Sequence, residues 1–142
     1  MSSAAVPVAA GSDHSALPPH DIAAEQSVLG GMMLSADTIA EVSRLLKADD
    51  FYRPAHQAIY QATLSLFEAG EPADAVTVSA ELERRGELAR VGGAPYLHTL
   101  IATVPTAANA AYYAEIVAEK AMLRRLGEAG MRMQQLSRTG AQ

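Results

Sequence analysis

The chain has 142 residues, 49% of them hydrophobic, with two Phe, five Tyr, no Trp and no Cys. That length suits one domain with one modest core of Leu, Ile, Val, Met and Ala, side chains that favour helix over sheet, and the missing Cys excludes disulfides and thiolate metal sites. The net charge of -5 is unevenly spread: Met1 to Glu119 holds 15 acids and 6 bases, Lys120 to Gln142 holds 5 bases and 1 acid, and a body so acidic repels a phosphate backbone, which makes DNA a poor direct ligand.

Residues 1 to 17 mix Ser, Ala, Pro, Gly and His without periodicity and read as a disordered tail. Met1 to Ala16 lack the basic start and unbroken apolar run of an export signal, and no apolar run reaches the roughly 18 residues of a membrane span. A soluble, cytoplasmic protein is the expectation. Residues 18 to 104 read as a compact helical head. Pro18 and Pro19 halt the tail, Asp21 caps a first helix to about Leu34, and Ile22, Val28, Leu29, Met32 and Met33 cluster on one side of it. Gly30 and Gly31 weaken that helix by roughly 1 kcal/mol each unless another backbone comes close.

Ser35 opens a second helix to about Lys47, with Ile39, Val42 and Leu46 on one stripe. Pro54 suits the first turn of a third, in which His56, Ile59, Tyr60, Thr63 and Phe67 share a face, and Gly70 ends it. A short fourth helix capped by Thr77 carries Val78 and Leu82 and closes at Gly86, and a fifth runs from Pro95 to Val104 with Leu97, Leu100, Ile101 and Val104 in helical register.

Residues 105 to 138 form one long helix, capped by Thr106 and reaching about Ser137, with Tyr112, Ile116, Leu123, Leu126, Met133 and Leu136 tracing one stripe. A helix of about 30 residues spans roughly 45 Å, longer than a head whose radius of gyration is near 13 Å, so its far half must find another surface. The first half completes the head's core. Beyond Leu123 the stripe predicts an interface, with Ile116, Leu123, Leu126, Met133 and Leu136 in it and Tyr112 and Tyr113 at the junction with the head. Gly127 and Gly130 imply a closely packed partner or a frayed end.

Chemistry is sparse. No Gly-Lys pair exists to build a phosphate-binding loop, and His14, His20, His56 and His98 lack the spacing of a helical zinc site. On its apolar face, His56 reads as a histidine satisfied by a neighbour. Asp49 with Asp50, and Glu81 with Glu83, read as capping and solubilising acids, and Arg124, Arg125, Arg132 and Arg138 as an ion-pair ladder with Glu128. Neither catalysis, a metal nor a cofactor is expected here; the rival reading is a nucleic-acid-binding module using the basic last turns.

The segments Asp21 to Leu34, Asp50 to His56, Gly70 to Thr77, Leu82 to Leu88, Val91 to Leu97 and Val104 to Ala114 resemble, in the same order, the N-terminal domain of the DnaB family of bacterial replicative DNA helicases. The resemblance implies an all-α fold in which the head is followed by a helical hairpin, with the long helix as its first arm and residues 139 to 142 beginning the turn. It implies self-association as dimers, three of them forming the collar of a hexameric helicase, with primase docking on the collar and a helicase loader acting nearby. It places ATP, magnesium and the motor in a separate C-terminal domain, and DNA in contact with the full-length ring only.

Overall fold

The computed structural model describes residues 17–140; the tail read over residues 1 to 17 lies outside them except for Leu17, as do the last two residues of the expected turn. The described residues form seven α-helices and no strand: α1 (Ile22–Leu34), α2 (Ala36–Ser43), α3 (Pro54–Glu68), α4 (Ala75–Arg84), α5 (Leu88–Val91), α6 (Gly93–Ala102) and α7 (Ala110–Thr139), with 3-10 turns at Ala48–Asp50 and Ala107–Asn109.

Helix α1 is the centre of the head. Asp21 caps it as its short carboxylate suggests, Oδ1 accepting from the Ala24 amide at 3.0 Å. Its apolar residues are not confined to one side: from Val28 to Met33 every residue is buried, because α2, α3, α6 and α7 all pack around it. The two glycines make this possible. A Cβ on Gly30 would lie 2.3 Å from the Leu100 carbonyl oxygen of α6, and one on Gly31 would lie 3.2 Å from the Ala110 Cβ of α7.

The element boundaries shift where local hydrogen bonding outweighs periodicity. Helix α2 stops at Ser43, and the chain turns through Ala48–Asp50, where the Asp50 carboxylate accepts from the Lys47 amide at 2.8 Å. The cap of α4 is Asp74 and not Thr77: Asp74 Oδ1 accepts from the Val76 and Thr77 amides at 3.0 and 2.9 Å, and the Thr77 hydroxyl oxygen accepts in turn from the Asp74 amide. Helix α6 begins two residues before Pro95, at Gly93, and the extra helix α5 uses Leu88 and Val91 to close the core beneath α3. Thr106 caps the 3-10 turn and not the long helix itself.

Helix α7 is unbroken over 30 residues, about 45 Å. It presents Ala110, Ala114, Val117 and Ala121 to the head, a row spaced by four and three residues whose small side chains let it lie close to α1. After Ala121 no residue of α7 is buried.

Candidate protein-interaction surface

Because only the first three turns of α7 are covered, its remaining apolar side chains face solvent. Tyr112, Met122, Leu123, Leu126, Met131, Met133 and Leu136 are between 41% and 69% exposed and follow one another along a single helix, whereas surface apolar residues scattered singly are ordinary. Of the residues read as interface, Tyr113 and Ile116 instead pack partly against the core, and Tyr112 stands outside them with its ring edge-on to Tyr113 at 5.5 Å.

The seven do not form one line. At about 100° per residue, the row from Tyr112 to Leu136 drifts by roughly 120° around the axis. Tyr112, Ile116 and Leu123 share one arc. Leu126, Met133 and Leu136 share another with Met122, at successive steps of four, seven and three residues. Met122 and Met131 were passed over in the sequence reading, although Met122, Leu126, Ala129, Met133 and Leu136 already show the i, i+4, i+7 register of a helix face.

Between the first arc and the head runs a groove of about 530 Å³, lined on one side by Pro18, Pro19, Phe51 and Tyr52 and on the other by Leu123, Gly127 and Met131. Where α7 passes this groove, its arginines do not form the ladder with Glu128 suggested by their spacing. Arg124 donates to the carbonyls of Pro19 at 2.8 Å and Asp50 at 2.7 Å, with its guanidinium 5.5 Å from the Tyr52 ring centre. Arg125 donates to the Asp50 carboxylate and lies 3.6 Å from Asp49. The pairing with Asp50 holds the Arg125 guanidinium above its ordinary range. The head offers closer carbonyl and carboxylate acceptors than a neighbouring helical turn does.

Several acidic groups of the head have structural tasks. Hydrogen bonds from Arg84 and Arg85 pull the Glu81 carboxyl down to about 2, and the Thr77 amide lowers that of Asp74. The most buried polar cluster joins three helices: Glu25 of α1 accepts from the Tyr52 amide at 2.7 Å, pairs with His56 Nδ1 of α3 at 2.7 Å, and His56 Nε2 meets the Tyr96 hydroxyl of α6 at 2.7 Å. His56 was read as satisfied by a neighbour, and it is. Glu25 was missed, since nothing in the sequence distinguishes a buried Glu from the exposed acids of an acidic chain.

The described residues contain no group of three His, Cys, Asp or Glu side chains able to hold a metal, and no helix long and apolar enough to cross a membrane. The 142 residues contain no Gly-Lys pair with which to build a phosphate-binding loop. What remains is a helical head, capped and buttressed, presenting an apolar arm.

The family model of the DnaB-like helicase N terminal domain matches residues 17–119, which takes in the head and most of the covered turns of α7. The chain belongs to this family. It is 70% identical over 125 residues to the replicative DNA helicase DnaB of Mycobacterium leprae, covering 88% of this chain and 21% of that protein. The DnaB of Leifsonia xyli is 60% identical over 119 residues, covering 84% and 26%. The crystal structure of the N-terminal domain of DnaB helicase from Mycobacterium tuberculosis matches with a TM-score of 0.86 at 70% identity, covering 88% of this chain and 89% of that one. The chain thus spans about a fifth to a quarter of the curated helicases it matches. The matched residues correspond to their N-terminal domain, the chain includes no motor region, and the all-α fold inferred from six short segments is the fold of this family.

Proposed function

We propose that this domain organises a replicative helicase ring by burying apolar area and not by catalysis. In this reading α7 is the first arm of a helical hairpin, the head is one unit and the arm another, and the domains pair as dimers, three of which form the collar of a hexamer. Primase docks on that collar, and a helicase loader acts nearby. ATP and magnesium belong to the motor domain of the full-length protein, DNA passes through the assembled ring, and the whole operates in the cytoplasm.

The observation that carries the reading is the bare apolar surface of α7 beyond Ala121, which water alone leaves uncompensated. Ile116, Leu123, Leu126, Met133 and Leu136 form the interface, with Tyr112 and Tyr113 at the junction between the head and the start of α7. Burying an unpaired carboxylate is expensive, so Leu123→Asp combined with Leu126→Asp removes self-association. Light scattering over a range of concentrations reads this directly: the mass of the parent chain rises with concentration and that of the double variant does not. Equal assembly by both would remove this face from the interface.

A further inference from the structure

We propose that Arg124 and Arg125 form a clasp that sets the angle at which α7 leaves the head. Arg124 joins two stretches of chain far apart in sequence, its fork donating to the Pro19 and Asp50 carbonyls while it lies over the Tyr52 ring, which is itself stacked with His20 at 4.3 Å. One residue on, and so about 100° around the helix, Arg125 takes the carboxylate of the same Asp50.

The loop they grip is braced from behind. Asp50 accepts from the Lys47 amide at 2.8 Å, the Phe51 carbonyl accepts from Gln57 at 2.8 Å, and the Tyr52 amide is held by buried Glu25 at 2.7 Å. Past the clasp, a Cβ on Gly127 or Gly130 would touch nothing within 4 Å. The last buried side chain of α7, that of Ala121, is a single methyl group. From Arg125 to Thr139 the helix reaches about 21 Å, so a small angular freedom at the clasp becomes a large displacement at the tip. A planar fork shared between two carbonyls resists that rotation as a point charge does not. The two arginines are positioning residues, and the proposal concerns the chain's own geometry, independent of what covers the arm.

The absence of Cys makes the test clean. Spin labels on Glu83→Cys in the head and Ser137→Cys in the arm report the head-to-tip distance in chains diluted to single-chain mass. The parent gives one narrow distribution, and Arg124→Gln with Arg125→Gln broadens it by about two-fold or more, while far-UV dichroism and the thermal midpoint of the head hold nearly constant. An unchanged width in that variant overturns the clasp. If the double variant loses helical structure, Arg124→Lys with Arg125→Lys keeps both charges and removes the fork: broadening there supports the clasp, and a parental width overturns it.

Discussion

Tyr60 shows how burial and charge combine on one side chain. Its hydroxyl donates to the Leu46 carbonyl at 2.7 Å, and burial first, then the charges of Asp50 and Glu68, push its pKa up from 10.0 to about 12. The neutral phenol is therefore favoured in the folded state, so its contribution to stability is intact below pH 10 and is lost as pH rises towards about 12. Thermal midpoints measured across that window fall for the parent and fall less steeply for Tyr60→Phe; parallel slopes would place the alkaline sensitivity elsewhere. His56 poses the complementary case. Removing it with His56→Ala leaves buried Glu25 with the Tyr52 amide as its remaining partner and costs about 1–3 kcal/mol, the penalty for a buried polar group that loses a hydrogen-bond partner. Urea unfolding measures it, and adding Glu25→Ala to His56→Ala costs less than the sum of the two single changes, because the pair fails as a unit.

At the scale of the element, the glycines in helix interiors divide by what surrounds them. Gly30 lies under the α6 backbone, and its substitution by Ala forces α1 and α6 apart, lowering stability by about 1–3 kcal/mol as overpacked cores do. Gly127 and Gly130 lie in open space within the single chain, so Gly127→Ala and Gly130→Ala strengthen the distal half of α7 by up to about 1 kcal/mol each. Circular dichroism through thermal unfolding distinguishes the two groups by sign, and a destabilising Gly130→Ala would contradict the open surroundings. The apolar periodicity of the sequence placed most helices, yet it read α1 as one-sided. Periodicity reports which residues avoid water, and on a helix surrounded on every side by others that signal no longer has a direction. The cap of α4 was misplaced for a different reason: Asp74 and Thr77 are both capping residue types, and only the reciprocal hydrogen bonds assign the cap to Asp74.

For the molecule as a whole, the charge asymmetry of the sequence survives folding but changes meaning. The basic last helix is anchored through Arg124 and Arg125 to acceptors on the acidic head, leaving Arg132 and Arg138 on the exposed arm as a thin basis for holding a phosphate backbone. Titration with labelled single-stranded DNA at two salt concentrations accordingly shows weak binding with a shallow salt dependence; a steep slope and appreciable affinity would revive the nucleic-acid reading. The amino-acid sequence by itself determined the helical class, the family and the presence of a helix too long for its head, because each follows from local spacing or from motifs contiguous in the chain. Only the tertiary structure decided that Glu25 is buried between His56 and Tyr52, that the arginines of α7 turn inward to Asp50, and that the apolar side chains of α7 beyond Ala121, Met122 and Met131 among them, stay exposed. Those outcomes depend on which distant segments meet, and a pattern along one helix carries no record of the neighbours that cover it.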